Sequence, residues 1–320
     1  MGVPSAEQLK AWVEHHCPDG PPPNLVRIPT GKFNDSYFVE QGDTKSVLRV
    51  APPDDTAFLF YERNMMRQEP GLHSLLRERT GVPVAEVRAF DDTRELLPVD
   101  CMLMERLPGG PLSETPVSDV DRVLHRVGQF LREVHDLTEA HYGYLGEHRP
   151  MTPQPTWADA FSVMWNRLLD DVVATGHYSA AEADHLRRLL DRHIAVFDTG
   201  TPARLLHMDI WAQNILVDRG GQVTGLVDWD RALWGDPEIE FAVLDYCGIS
   251  EPAFWEGYGQ PRDTSAEHDL RRVFYLLYEL QKYIVIRHGR SRDPAAARRY
   301  RDQSLRLAAQ IPRTNAEWKL

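Results

Sequence analysis

The sequence has few of the features that mark a secreted, membrane-spanning or thiolate-metal protein. Its 320 residues include three cysteines, Cys17, Cys101 and Cys247, which are far apart and form no CxxC pair. We therefore expect reduced, mostly buried thiols rather than disulfides or a structural zinc site. No apolar run is long enough to span a bilayer, and the first residues form neither a basic start nor an apolar signal core. A cytoplasmic protein without a membrane partner is the expectation.

Positive charge is also scarce. The 36 lysines and arginines face 48 aspartates and glutamates, and the formal net charge is −12. Such a chain is poorly suited to a nucleic-acid backbone, so we expect no nucleic-acid partner. The balance is compatible with a cationic acceptor, although solubility alone explains it more simply. Three acidic residues after position 229 could line a pocket for such an acceptor or lie on a solvated surface: Asp230, Glu238 and Glu240.

The first hundred residues predict a β-rich unit with one long helix. The helix covers residues 58–78 and is interrupted at Pro70, which lacks a backbone donor, so we expect a break or the start of a second helical turn there. Five short runs of strand-forming residues predict strands at 26–28, 37–39, 45–51, 84–89 and 101–107. The turn-forming residues 107–111 (LPGGP) are the expected boundary. We therefore predict an N-terminal domain over residues 1–107, with a hinge near 102–108, and a C-terminal domain over 108–320.

The remainder of the chain is mainly helical in pattern. Apolar periodicity predicts helices over residues 120–137, 157–173 and 180–197, and again from about 267. Between them, two short β-type runs at 214–217 and 223–227 are joined by Asp-Arg-Gly-Gly, which predicts a hairpin.

This hairpin is expected to bring together the residues that carry the chemistry. Asn214 opens its first strand and Asp228 closes its second, so the two should be neighbours, with Asp209 just upstream. Paired oxygen donors suit Mg²⁺, and a nearby carboxylate can accept the proton of a hydroxyl. The spacing His207-x-Asp209-x-x-x-x-Asn214 is the catalytic-loop pattern of phosphoryl transfer. His207 is expected to orient the loop rather than to exchange protons.

Residues 207–214 resemble the catalytic loop of the aminoglycoside phosphotransferase and choline kinase-like superfamily, which comprises small-molecule kinases with a protein-kinase-like fold. The resemblance extends over nearly the whole chain, through VLRV at 47–50, GVPV at 81–84, MLMERLPG at 102–109, DWD at 228–230 and GDP at 235–237. It implies an α+β, bilobal fold with a small β-rich N-terminal lobe and a larger, mainly helical C-terminal lobe.

The resemblance also implies roles for individual residues. Asp209 would be the catalytic base, and Asn214 and Asp228 would hold Mg²⁺. Arg49, which stands where many members have lysine, would contact the α- and β-phosphates of the nucleotide. Its ion-pair partner would be Glu69, with Glu62 as the alternative.

Further residues would contact the nucleotide. Asn34 and Ser36 lie in the loop that would cover the phosphates, although this loop lacks a GxGxxG pattern. The hinge would contact adenine through Met104, Glu105 and Leu107.

The resulting expectation is an O-phosphotransferase that uses ATP, or GTP, to phosphorylate a hydroxyl of a small molecule. The acceptor could be an aminoglycoside or another antibiotic, which would confer resistance; the alternative is a choline-, amino alcohol- or sugar-type metabolite. The long helical segment between Glu105 and Asp209, and the lack of Ala-Pro-Glu after Asp228, disfavour a protein kinase. The complete Asp209, Asn214 and Asp228 set disfavours a non-catalytic nucleotide-binding module. Monomer and homodimer remain equally open.

Overall fold

The computed structural model describes residues 4–29, 33–53 and 57–312, which form a sheet-based lobe and a helical lobe. The N-terminal lobe contains a five-stranded antiparallel sheet in the order β1-β2-β3-β5-β4. Its elements are α1 (Ala6–His16), β1 (Asn24–Ile28), β2 (Asp35–Gln41), β3 (Thr44–Val50), α2 (Glu69–Arg79), β4 (Val87–Asp91) and β5 (Cys101–Glu105). The predicted α+β fold with a β-rich N-terminal lobe is confirmed.

Two helices of this lobe differ from the sequence predictions. The predictions lack α1, which packs Trp12 and Val13 against the sheet and begins with a capping box made by Ser5 and Gln8. A helix was predicted over residues 58–78, and its predicted start is wrong because α2 begins only at Glu69. Pro70 lies in the first turn of α2, where its missing N–H has no intrahelical partner to lose.

The C-terminal lobe is mainly helical, and the predicted hairpin is present within it. Its elements are β6 (Gly110–Pro111), α3 (Val120–His135), β7 (Thr138–Glu139), α4 (Trp157–Ala174), α5 (Ala180–His193), β8 (Ala203–Leu206), β9 (Ile215–Val217), β10 (Val223–Leu226), β11 (Leu233–Gly235), α6 (Pro237–Tyr246), α7 (Pro252–Tyr258), α8 (Ala266–Gly289) and α9 (Pro294–Ala308). The three central predicted helices correspond to α3, α4 and α5. Strands β9 and β10 form the hairpin, joined to β6. The domain limits at 107 and 108 remain a prediction.

The helical lobe is held by an aromatic core and by a close helix crossing. Phe161 of α4 stacks on Phe197 with ring centroids 4.8 Å apart and contacts Tyr275 of α8 edge-on at 5.1 Å. Helices α3 and α7 approach so closely that a Cβ on Gly128 would overlap the Phe254 carbonyl and lie 2.7 Å from the Tyr258 nitrogen. None of the helices in the described ranges is long and apolar enough to cross a bilayer.

Residues 57–66 connect the two lobes. The Phe60 N–H donates to Asp171 Oδ2 on α4 at 2.8 Å, and Glu62 pairs with Arg290 at 2.8 Å. Tyr61 stacks on Tyr144 with centroids 4.9 Å apart. This segment therefore anchors the N-terminal lobe to the helices of the C-terminal lobe, beside the catalytic loop.

The Asp171 contact predicts a pH-dependent stability. Burial raises the pKa of Asp171 from 3.8 to about 7 in spite of the Phe60 hydrogen bond. Because the folded pKa is above the unfolded one, the neutral carboxyl stabilises the fold at low pH, and this contribution is lost as the pH rises through about 7. Allowing for partial exposure, Asp171→Asn should be more stable than wild type at pH 8 by on the order of 1–2 kcal/mol, with no gain near pH 4. Urea unfolding of wild type and Asp171→Asn between pH 4 and pH 8 measures this difference in stability. Asp170→Asn, at a neighbouring carboxylate whose side chain is 69% exposed, should show no such trend.

The crossing of α3 and α7 predicts a second stability effect. Gly128→Ala should lower the free energy of unfolding by about 1–3 kcal/mol, because the new methyl group meets backbone atoms that cannot turn aside. Gly71→Ala in α2 is the matched control, since its Cβ meets no atom within 4 Å. It should be neutral or stabilising by up to about 1 kcal/mol. Equal unfolding midpoints for the two variants would contradict the close crossing.

Candidate active site

The catalytic loop starts at the end of β8 and is fixed by one buried carboxylate. Glu240 on α6 accepts hydrogen bonds from the His207 N–H at 3.1 Å and the Met208 N–H at 2.7 Å. Its Oε2 also lies 2.8 Å from His135 Nε2. Met208 has a φ of +66°, a conformation that costs energy in a residue other than glycine and that these bonds help to hold. His207 is buried, with Nε2 3.1 Å from the Val227 carbonyl, so it orients the loop as predicted.

Asp209 is held in a fixed orientation by two donors. Asn214 Nδ2 donates to its Oδ2 at 3.0 Å, and Arg231 Nη1 donates to its Oδ1 at 2.5 Å. Burial alone would raise the pKa of Asp209, but the charges of Arg231 and Lys282 outweigh it, so the pKa lies below the ordinary value. The side chain is 23% exposed. Asp209 is thus an ionised carboxylate that a small molecule can reach.

The hairpin places Asn214 and Asp228 side by side, as predicted. The Val227 N–H donates to the Asn214 carbonyl at 3.0 Å, one residue before Asp228. The Asn214 amide nitrogen is used by Asp209, which leaves its amide oxygen available. Asp228 has a φ of +73°, and its side chain is 38% exposed. The pair therefore offers two hard oxygen donors at one end of the hairpin.

Arg49 joins the sheet lobe to this hairpin. Its Nη1 donates to Glu69 Oε2 at 2.5 Å, and its Nη2 donates to Asp228 Oδ1 at 2.6 Å and to Asp230 Oδ2 at 2.9 Å. Of the two candidate partners on the N-terminal lobe, Glu69 is the one in contact, because Glu62 pairs with Arg290. Burial would raise the pKa of Glu69, yet the Arg49 charge lowers it below the ordinary value.

The site carries more negative than positive charge. Three cations, Arg49, Arg231 and Lys282, face five carboxylates in contact with them, on Glu69, Asp209, Asp228, Asp230 and Glu279. Burial raises the pKa of Asp228 and, together with the Asp228 charge, that of Asp230. Once all five carboxylates are ionised, their excess over the three cations equals the charge of one divalent cation. The donor set and this excess both fit Mg²⁺ held by Asn214 and Asp228.

The other predicted nucleotide contacts occupy neighbouring strands. Asn34 is buried and donates through Nδ2 to Asp230 Oδ2 at 3.2 Å, while its Oδ1 has no partner. Ser36 of β2 is directly opposite Arg49 of β3. Residues 30–32 of the same loop lie outside the described part of the chain. On β5, next to β3, Met104 is buried in a methionine-rich cluster against which Leu107 packs, and Glu105 is partly exposed.

Sequence reasoning missed residues whose partners are distant in the chain. Arg231, the strongest contact of Asp209, was not singled out, and no local pattern marks it. Asp230, Glu238 and Glu240 were expected in an acceptor pocket or on a solvated surface, and this is wrong. Asp230 and Glu240 are buried and, like Glu238, engage partners within the protein: Arg49, His135 and Arg271. For Glu240 a signal existed, since it stands alone within the apolar run Ile239–Leu244.

Comparison with known proteins agrees with this geometry. The model of a family described as the phosphotransferase enzyme family matches residues 24–271. A probable ketoamine kinase of Vibrio parahaemolyticus is 26% identical over 267 residues, which are 80% of this chain and 84% of the relative. A hygromycin-B 4-O-kinase of Escherichia coli is 24% identical over 233 residues, 69% of this chain and 61% of the relative.

Solved structures show the same fold. Aminoglycoside phosphotransferase APH(4)-Ia, in a ternary complex with AMP-PNP and hygromycin B, has a TM-score of 0.66 at 18% identity and covers 95% of this chain and 99% of its own. A putative fructosamine-3-kinase of Thermobifida fusca has a TM-score of 0.66 at 20% identity and covers 97% of this chain and 100% of its own. The predicted kinase-like fold, superfamily and enzyme class of small-molecule phosphotransferase are confirmed. Because the family model spans most of the sequence, the chain belongs to the phosphotransferase enzyme family.

Proposed function

We propose that the protein transfers the γ-phosphate of ATP to a hydroxyl group of a small molecule, with Asp209 as the catalytic base. The observation that carries this proposal is the meeting of Asp209, Asn214 and Asp228 at one end of a hairpin, with Arg49 bonded across to Asp228. The AMP-PNP complex of APH(4)-Ia supports ATP as the donor. GTP is the alternative donor.

Asp209 has the properties that the reaction requires of a base. As the acceptor oxygen attacks the γ-phosphorus, the O–H bond breaks and its proton passes to the Asp209 carboxylate, while the bond to the β-phosphate oxygen breaks and ADP leaves. Phosphoryl transfer has a loose transition state, so orientation and charge contribute more than basicity. Arg231 and Asn214 provide the orientation, because each donates to a different oxygen of Asp209.

The nucleotide would be held between the lobes. Mg²⁺, when bound by Asn214 and Asp228, supplies positive charge to the phosphates. Arg49 would turn from Asp228 towards the α- and β-phosphates while keeping its bond to Glu69. The covering loop and the hinge would hold the rest of the nucleotide through Asn34, Ser36, Met104, Glu105 and Leu107.

Two classes of acceptor are supported by different relatives. Similarity to a hygromycin-B 4-O-kinase supports an aminoglycoside or another antibiotic, and hence a role in resistance. Similarity to a probable ketoamine kinase supports a metabolite as the acceptor. The metabolite classes considered are choline-, amino alcohol- and sugar-type compounds. A coupled ADP-release screen over both classes selects between them. We further propose that the protein is cytoplasmic and that it is a monomer or a homodimer.

Asp209→Asn tests the assignment of the base. The amide keeps the size of the side chain and can still accept a hydrogen bond from Arg231, but it cannot take the proton. We expect kcat to fall by about 10²–10⁴-fold with the acceptor that the screen identifies. Asp191→Asn, at an exposed aspartate on α5, is the matched control and should keep wild-type turnover. Asp209→Asn with kcat within tenfold of wild type would refute the assignment.

Glu69→Gln tests the role of the Arg49 pair. Loss of one charge-assisted hydrogen bond should leave Arg49 poorly oriented and raise the KM for ATP by about tenfold, with a smaller effect on the KM for the acceptor. Glu62→Gln removes a carboxylate that pairs with Arg290 of the C-terminal lobe and leaves the Arg49 contacts in place. Steady-state kinetics with each substrate varied would show the difference. If both variants changed the KM for ATP equally, Arg49 would have no specific role in binding the nucleotide.

A further inference from the structure

A cavity of about 380 Å³ lies beside the catalytic loop. One wall is the segment between β6 and α3, represented by Leu112 and Val117, and a second is the catalytic loop at Ala212. The end of α6 forms the third wall through Cys247 and the following Ile249. The ion network around Asp209 does not contribute to the lining, so the cavity is not explained by the chemistry described above.

The lining of this cavity is apolar. None of the described residues that line it carries a charge, and aliphatic side chains predominate. One of the four large hydrophobic side chains exposed in the described ranges lines it: Val120, which is 47% exposed. Apolar surface that stays open to solvent in one place marks a ligand or partner site more often than chance exposure.

Two carboxylates near Cys247, those of Asp245 and Glu279, already have partners. Asp245 accepts two hydrogen bonds from Arg262 and one from Arg272. Glu279 accepts from Lys282 at 2.5 Å. A cationic group at either carboxylate would therefore have to displace an internal cation, whereas an apolar group in the cavity would remove solvent-exposed apolar surface from water.

The cavity lies close to Asp209, since its lining residue Cys247 is within electrostatic range of that carboxylate. Ala212 follows Asp209 by three residues, so their Cα atoms are at most about 11 Å apart. The wall is tied to the loop, because the Ser113 N–H donates to the Ala212 carbonyl at 3.1 Å and the Leu112 N–H donates to the Ile215 carbonyl at 2.8 Å. One small molecule can therefore present a hydroxyl to Asp209 and extend into the cavity.

We infer that this cavity is the part of the acceptor site that binds an apolar portion of the acceptor. The substrate class is thus an amphipathic hydroxyl compound, with a polar end at Asp209 and an aliphatic or aromatic part against Val117, Val120 and Ile249. This inference rests on the proposed function, since it takes Asp209 as the site of transfer. Each methylene that becomes fully buried should raise affinity by up to about fourfold.

Binding of matched probes to the full-length protein tests the inference without requiring turnover. Titration calorimetry, in the presence of Mg²⁺ and AMP-PNP, compares n-hexyl β-D-glucoside with D-glucose, which has the same polar end and no apolar part. We expect hexyl glucoside to bind at least about tenfold more tightly than glucose. Val117→Trp, which fills the cavity, and Val120→Asp, which places a charge at its rim, should each abolish that preference. Val26→Trp, at an exposed valine of β1, should retain it.

The outcomes separate this inference from the proposed function. Equal affinity for the two probes, a preference that survives in both cavity variants, or displacement of hexyl glucoside by AMP-PNP would overturn it. If the preference is present and cavity-dependent while no phosphate is transferred to any acceptor in the screen, the binding site stands and the proposed function fails. If phosphate is transferred to polar acceptors alone and the apolar probe does not bind, the proposed function stands and the inference about the cavity fails.

Discussion

The arrangement of the site depends on one buried guanidinium group, that of Arg49. It is bonded at once to Glu69 on α2, to Asp228 at the end of the hairpin, and to Asp230. A sheet, a helix and the catalytic hairpin, which belong to different lobes, thereby meet at a single side chain. Breaking one of these contacts would leave a carboxylate in a poorly solvated position, so the three elements constrain one another. The positions of Asp228 and Asp230 relative to the sheet follow from this constraint.

The surrounding charges and burial set the protonation of the carboxylates in the site. Asp209 is kept ionised by Arg231 and Lys282, whereas burial raises the pKa of Asp228 and Asp230. Under the proposed function, a cation would bind at Asp228 and a hydroxyl would approach Asp209. Glu240 fixes the backbone at His207 and Met208. Residues 57–66 attach the N-terminal lobe to α4 of the C-terminal lobe. The apolar cavity beyond Ala212 adds a surface of different character, suited to the part of the acceptor that does not react.

Residues close in sequence were predictable, and those joined across the chain were not. The hairpin could be predicted from Asp-Arg-Gly-Gly between two β-type runs, and it placed Asn214 beside Asp228. The partners of Arg231 and Glu240 could not be predicted, because they lie 22 and 33 residues away. Nothing local distinguishes Arg231 from a surface charge, whereas the apolar run around Glu240 was a local sign of burial. Polarity indicated exposure for Glu240, but burial is possible because His135 and two backbone N–H groups satisfy its oxygens. Helix α1 was missed although Ser5 and Gln8 form a capping box. Pro70 was expected to mark a break or the start of a second helical turn, and it lies in the first turn of α2.

The central claim is that phosphate passes from a nucleotide to a small hydroxyl compound. Incubating the purified protein with ATP labelled at the γ-phosphate, Mg²⁺ and a pool of antibiotics, amino alcohols, sugars and alkyl glycosides tests this most directly. The label is then followed into small molecules, into protein and into inorganic phosphate by chromatography with mass spectrometry. The account predicts label in one or a few small molecules, dependent on Asp209. Label in protein substrates alone, or nucleotide binding without transfer to any acceptor, would contradict it.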